Sequence, residues 1–88
     1  MTKRKKLKEL GYYIDTIEYH NNKPLAVIYK KYFKYCHIRA WLSLPNDKFF
    51  TLSIKYDTEG FAYQEVINDL QHAFNVRNKD LEILKECD

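Results

Sequence analysis

Glycine, proline and cysteine are scarce in this chain of 88 residues, which has two of each. The glycines, Gly11 and Gly60, are too few and too far apart for a phosphate-binding loop or a dinucleotide fingerprint, because those motifs place several glycines close together. The shortage of glycine and proline also excludes low-complexity sequence and long flexible linkers. We therefore expect residues 1–88 to form a single folded domain.

The few thiols and imidazoles form no catalytic or metal-binding pattern. Cys36 and Cys87 lack the C-x-x-C spacing, and the three histidines, His20, His37 and His72, fall in different predicted elements. Cys36 and His37 are adjacent, but neighbours in a strand point to opposite faces, so they cannot act together as nucleophile and base. We predict that the protein is not an enzyme and that it has no catalytic residues, no metal site and no cofactor.

The sequence also lacks a long apolar run. Residues 1–8 are basic, but no apolar stretch long enough for a signal peptide or a membrane span follows them. We therefore expect a cytoplasmic protein without a membrane partner, and we interpret residues 1–8 as a basic N-terminal arm that need not be ordered.

Charge is unevenly distributed along the chain. The formal net charge is +3, but residues 1–40 contain ten Lys or Arg and three acids, while residues 41–88 contain five Lys or Arg and nine acids. A basic half and an acidic half suit the binding of phosphate or of an acidic protein surface, and they equally suit attraction between the two halves.

The most regular pattern is an alternation of apolar and polar residues on both sides of a turn. Ile38, Ala40, Leu42 and Leu44 share one parity before Pro45, Asn46 and Asp47, and Phe50, Leu52, Ile54 and Tyr56 share one parity after them. This period predicts an antiparallel hairpin with two apolar rows on the same face.

The first half contains one predicted strand and one ambiguous segment. β-branched and aromatic residues predict a strand over 12–19. In residues 25–35, Leu25, Ile28, Tyr29, Tyr32, Phe33 and Cys36 recur with helical spacing after Pro24, which favours a helix. The run 26–29 has strand propensity instead, and a strand there would give a four-stranded meander.

Helical spacing returns after the hairpin. An apolar stripe predicts a helix that covers the sheet; the stripe is Tyr63, Val66, Ile67, Leu70, Ala73 and Phe74. Asp57 or Thr58 is expected to cap this helix, and Gly60 to give the chain the conformational freedom to enter it. Asn78 is expected to cap a separate short helix over 79–87. The fold class is therefore α+β: an antiparallel sheet of three or four strands, one main amphipathic helix on one face, and short terminal helices.

Two binding functions fit this composition. Compact, motif-free single-domain proteins are typical of phage and mobile-element accessory genes, including anti-restriction and anti-CRISPR inhibitors, so we expect an inhibitor or adaptor that docks on a host protein. The alternative is direct nucleic-acid binding by the basic and aromatic first half. The small net charge and the acidic second half favour the protein partner.

The residues expected to contact the partner combine cations with aromatic rings. They are Lys3, Arg4, Lys5, Lys6, Lys30, Lys31, Lys34, Tyr35, Arg39 and Trp41. The exposed edge over residues 12–19 can also pair with a second copy, so both a monomer and a homodimer fit the sequence.

Overall fold

A four-stranded antiparallel sheet with helices on one face forms the protein. The computed structural model describes residues 1–57 and 63–88, so the predicted roles of Thr58 and Gly60 lie outside the described residues. The strands follow one another in the order β1-β2-β3-β4. The elements are α1 (Lys3–Glu9), β1 (Tyr13–His20), β2 (Lys23–Tyr32), β3 (Cys36–Ser43), β4 (Phe50–Tyr56) and α2 (Gln64–Lys85). The predicted α+β class is confirmed.

The predicted hairpin is the pair β3 and β4. Ala40 lies opposite Leu52 and Ile38 opposite Ile54, so the two apolar rows share one face as expected. Asp47, in the connecting turn, has φ +57°, and its main-chain N–H donates to the carbonyl of Ser43. Short polar side chains tolerate this left-handed conformation, which explains why the chain reverses here.

The helix expected over residues 25–35 is wrong, and the alternative four-stranded meander is confirmed. Residues 23–32 form β2, which pairs with β1 on one side and with β3 on the other. Asn21 and Asn22 both have positive φ, which is the geometry of a two-residue hairpin turn between β1 and β2. This turn commits the following residues to an extended partner strand.

The second correction concerns α2, which is one helix of 22 residues rather than a longer helix followed by a short one. Its buried side chains are spaced seven residues apart at Val66, Ala73 and Asp80, with Leu84 on the same side. Three members of the predicted stripe, Tyr63, Ile67 and Phe74, are exposed instead. Tyr63 is the extended N-cap residue of α2, so the predicted cap Asp57 is wrong. Ile67 and Phe74 lie on one flank of α2, because each is offset from the buried row by one residue of helical rotation.

The N-terminal residues contribute to the core. The side chain of Thr2 accepts a hydrogen bond from the N–H of Lys5, which caps α1, and Leu7 is fully buried. Gly11 follows with φ +96°, where a side chain would be strained, and it turns the chain towards Tyr12 and β1.

Both helices lie on the same face of the sheet. Leu7 of α1 and Leu84 of α2 belong to one buried cluster with strand residues whose side chains share that face, namely Val27, Tyr29, Ile38, Ala40, Leu42 and Leu52. Successive residues of a strand point to opposite faces, so the residues between these point away from the helices. We call that second surface the open face, because no helix in the described part of the chain covers it.

Candidate functional site

The open face presents the aromatic and charged residues that lie between the core positions. Pairing sets Tyr13 beside Lys30, Lys30 beside Arg39, and Tyr32 beside His37. In the adjacent row, Trp41 of β3 lies beside Ile28 of β2, and Ile28 is 4% exposed. Trp41 is itself half-buried, so this row pairs a partly accessible aromatic residue with a buried aliphatic one.

Three rings form a continuous row across β1, β2 and β3. The centroids of Tyr13 and Tyr32 are 6.0 Å apart with an interplanar angle of 23°, and those of Tyr32 and His37 are 5.1 Å apart. Tyr13 and Tyr32 are each 51% exposed, whereas His37 is buried and its Nδ1 lies 2.8 Å from Oδ1 of Asp57. His37 therefore connects the row to Asp57, and the two phenol rings remain accessible to solvent.

The cations of the open face have acidic neighbours. The Nζ of Lys30 lies 3.3 Å from Oδ2 of Asp15, and a guanidinium nitrogen of Arg39 lies 3.9 Å from Oε2 of Glu18. Desolvation lowers the pKa of Lys30, but the hydrogen bond and the charge of Asp15, with a further contribution from Tyr32, outweigh it, so the net shift of this pKa is upward. Lys55 is exposed and makes no ion pair with the described residues. The open face thus carries a balanced set of charges rather than a basic patch.

The predicted cations of α1 lie away from the open face. The Nζ of Lys3 donates to the carbonyl of Cys87 and lies over the ring of Phe50, and Arg4 pairs with Asp47 at 3.0 Å. Lys6 pairs with Glu9 on the same helix, and Lys5 is exposed with no ion pair among the described residues. All four lie on the helical side of the sheet.

Lys31, Lys34 and Tyr35 also belong to the helical side. Lys31 pairs with Asp80, while both Lys34 and the hydroxyl of Tyr35 contact Glu65. Of the ten residues predicted to contact a partner, the structure brings together three on the open face: Lys30, Arg39 and Trp41. It separates the other seven from them.

The sequence reasoning missed Tyr13 as a site residue. Tyr13 lies beside Lys30 on the open face only because β1 and β2 pair in this register. The available signal was the turn at Asn21 and Asn22, since two successive residues that tolerate positive φ are typical of a two-residue hairpin.

Cys36 and His37 point to opposite faces, as strand neighbours should. The thiol of Cys36 lies 3.6 Å from Oδ2 of Asp69 on the helical side, while His37 contacts Asp57. Burial, reinforced by the negative charge of Asp69, raises the pKa of Cys36 to about 11. A thiol in this environment stays protonated near neutral pH and is a poor nucleophile.

Metal ligation and membrane crossing can both be assessed for the described residues. Within residues 1–57 and 63–88, no three His, Cys, Asp or Glu side chains are grouped so as to hold a metal ion. None of the helices in this part of the chain has both the length and the apolar character needed to cross a membrane.

Comparison with known proteins identifies no relative. No protein-family model matches the chain, and no curated protein or solved structure matches it either. Fold and site together define a small α+β domain with one helix-covered sheet face and one aromatic open face.

Proposed function

We propose that this protein is a non-enzymatic binding domain that docks on another protein through its open face, acting as an inhibitor or adaptor. The observation that carries the proposal is the grouping of Tyr13, Tyr32, Arg39 and Trp41 on the sheet face that the described helices leave uncovered. Tyr, Trp and Arg are the residue types most enriched at the centres of protein interfaces, because they supply large contact areas together with hydrogen-bonding groups.

The charges of the open face favour a protein over a nucleic acid. A polyanion is bound by cations that lack internal partners, since its affinity comes from neutralising phosphates. Here Lys30 and Arg39 already face Asp15 and Glu18, and these carboxylates would repel phosphate. The stacked rings of Tyr13 and Tyr32 are the one feature that suits bases, so nucleic-acid binding is the competing outcome of the test.

The more specific prediction, that the partner is a nuclease of a host defence system, stays a prediction. It rests on size and composition alone, and no side chain of the open face selects a nuclease over another protein. The experiment must therefore identify the partner as well as the surface.

Affinity capture with surface variants tests the proposal. Tagged wild-type protein and the variants Tyr32→Ala and Arg39→Ala are incubated with nuclease-treated lysate, and captured proteins are identified by mass spectrometry. The control is Phe74→Ala, which removes an equally exposed ring from α2 on the other side of the sheet. A partner that is retained by wild type and Phe74→Ala, but lost with both open-face variants, is then purified, and its dissociation constant is measured.

We expect each open-face variant to weaken that purified complex at least tenfold, since interface hot spots lose more than about 2 kcal/mol on truncation. The thermal midpoints should stay close to that of wild type, because Tyr32 is half exposed and the ion pair of Arg39 is long. Steeply salt-dependent binding of a single-stranded oligonucleotide, lost in Tyr32→Ala, would instead support the nucleic-acid alternative. Unchanged protein binding in both variants would overturn the proposed surface.

A further inference from the structure

The two outer edges of the sheet differ in how well they are protected. β1 and β4 each pair with one neighbour, so each has an edge that faces away from the sheet. At β4, Nε of Arg77 donates to the carbonyl of Leu52 at 3.1 Å, and α2 packs against this strand. At β1, no helix among the described residues provides comparable cover.

The exposed side chains of β1 show the lack of cover directly. Ile14 and Ile17 point to the helical side of the sheet, yet they are 51% and 43% exposed. A second irregularity lies between Glu18 and Tyr19, but its extra residue, Leu25, belongs to β2, so the alternation of β1 is kept. Tyr19 therefore lies on the same side as Ile17, and it is 61% exposed. Three large apolar side chains thus form a strip along the β1 edge, which we call the β1 strip.

The main-chain groups of the same residues face outward. The N–H of Phe33 donates to the carbonyl of Cys36, and the N–H of Leu44 donates to the carbonyl of Leu25. Main-chain groups alternate in direction along a strand, so the odd-numbered residues of β2 form their hydrogen bonds with β3. The even-numbered residues of β2 bond to β1, which directs the main chain of Thr16 and Glu18 inward. Ile17 and Tyr19 consequently present their N–H and C=O groups to the outer edge.

We propose that β1 pairs antiparallel with β1 of a second copy of this chain, centred on Ile17, to give a twofold dimer with a continuous eight-stranded sheet. This centring sets Ile17 against its own counterpart and Thr16 against Glu18 of the second copy. The twofold axis repeats this pair, so at two places the hydroxyl of Thr16 can donate to the carboxylate of Glu18. Asp15 is an extra, bulged residue of β1 between Ile14 and Thr16. Because the bulge shifts the pairing by one residue, Ile14 lies opposite Tyr19 of the second copy, and both side chains are on the helical side.

The self-complementary order of these residues is what selects a second copy as the occupant. Every pairing on the helical side is apolar with apolar, and the pairing on the open face is donor with acceptor. The charges of Asp15 and Glu18 are partly offset within their own chain, by Lys30 at 3.3 Å and by Arg39 at 3.9 Å. By contrast, β4 presents Lys55 and an edge carbonyl that Arg77 already occupies.

The size of the strip indicates a weak dimer. Even an aromatic side chain contributes only about 150–250 Å² when fully buried, so two isoleucines and one tyrosine that are half exposed supply at most a few hundred Å² per copy. Summed over both copies, this area lies below the lower limit of about 1,200 Å² for stable specific interfaces. The main-chain hydrogen bonds of the paired strands add to it, and we expect dissociation in the micromolar range or weaker. A twofold axis perpendicular to the sheet would set the open faces of both copies on one side.

Sedimentation equilibrium of the full chain from micromolar to near-millimolar concentration tests this proposal. Wild type should show a reversible monomer–dimer equilibrium. Ile17→Lys sets two cations against each other at the centre of the interface and should weaken dimerisation at least tenfold. The matched control is Ile67→Lys, because Ile67 is 42% exposed on α2 and its loss should leave the equilibrium unchanged.

A third variant should strengthen the dimer. Thr16→Lys sets a cation against Glu18 of the second copy twice, and cross-strand ion pairs of about 0.2–1 kcal/mol each predict a decrease in the dissociation constant of roughly 2- to 30-fold. Ile17→Cys should form an interchain disulfide under oxidation that Ile67→Cys does not form, since both copies of residue 17 are adjacent. Wild type that stays monomeric throughout, or a dimer that persists in Ile17→Lys, would overturn the proposal. Ile17 and Ile67 lie off the open face, so the outcome for the variants of these two residues is independent of the capture experiment.

Discussion

The Nζ of Lys31 lies 3.2 Å from Oδ2 of Asp80, a carboxylate that is only 3% exposed on α2. The same oxygen accepts a hydrogen bond of 2.8 Å from the hydroxyl of Tyr12. Burial, together with the hydrogen bond to Asp80 and its charge, raises the pKa of Tyr12 well above its ordinary value. Since a buried carboxylate is costly without partners, this connection fixes α2 to the first half of the chain.

Removing Lys31 should therefore destabilise the protein strongly. We expect Lys31→Met to lower the free energy of unfolding by about 2–4 kcal/mol, because it leaves the Asp80 charge with one neutral partner. The double variant Lys31→Met/Asp80→Asn should lose less, since it removes the buried charge. Urea denaturation measures both.

The control for this prediction is Lys34→Met. Lys34 and Glu65 form an ion pair 3.6 Å long with both side chains about 70% exposed, so solvent screens it and its loss should cost far less stability than the loss of Lys31. Equal losses for Lys31→Met and Lys34→Met would show that the Asp80 contact contributes no more than a surface pair.

The burial of Leu7 makes α1 part of the core. Leu7→Ala should lower the free energy of unfolding by about 2–5 kcal/mol, the range found for large-to-small substitutions in cores. Lys8→Ala, at the exposed neighbouring position, should change it by less than about 0.5 kcal/mol. Thermal or urea unfolding distinguishes the two, and a Leu7→Ala variant as stable as wild type would mean that α1 is not anchored to the core.

The turn between β1 and β2 depends on residues that accept positive φ. Asn22 has φ +65°, and Asn22→Val should lower the free energy of unfolding by about 1–2 kcal/mol, because a β-branched residue is strained there. Asn22→Gly should be neutral or stabilising. The adjacent control Lys23→Val occupies an extended strand position and should not be destabilising. If Asn22→Val and Lys23→Val had the same free energy of unfolding, the positive φ of residue 22 would not contribute to the preference for Asn.

The raised pKa of Cys36 predicts a loss of stability in alkaline solution. The thiol ionises near its ordinary value of about 9 in the unfolded chain and at about 11 in the folded protein. The unfolded state therefore releases its proton first, and the free energy of unfolding should fall as the pH rises from 9 to 11. Urea denaturation across this range should show a shallower fall for Cys36→Ala than for wild type.

The β3–β4 hairpin was predictable because one of its faces is buried and the other is not. Ile38, Ala40 and Leu42 alternate with Arg39 and Trp41, and this period has no helical interpretation. Residues 26–29 give no such signal, because β2 lies inside the sheet and its side chains are buried on both faces. Ala26 and Ile28 are buried on the open face, although no described helix covers it, and Val27 and Tyr29 are buried on the helical side. A strand that is buried on both faces loses its alternation, and the apolar residues around it happened to fit a helical period.

The buried row of α2 is predicted only in part, for a different reason. Val66 and Ala73 belong to the predicted stripe, but the row continues through Asp80, a charged residue that a hydrophobic stripe cannot include, and the stripe also contains Ile67 and Phe74, which lie on the exposed flank. Tertiary partners decide which side of α2 is buried, and Lys31 and Tyr12 are distant in the sequence. For the site, Lys30, Arg39 and Trp41 were recognised as residue types, but their grouping with Tyr13 required the strand register.

The sequential order of the strands has a consequence for folding kinetics. Each strand pairs with the next along the chain, so the sheet can form by successive closure of short loops, which is the fast route for β structure. The contacts of α2 with Tyr12 and Lys31 span 68 and 49 residues and carry the larger entropy of closure. We therefore expect the meander to be largely formed in the transition state, and α2 to dock after the rate-limiting barrier. Lys31→Met would then accelerate unfolding with little effect on the refolding rate.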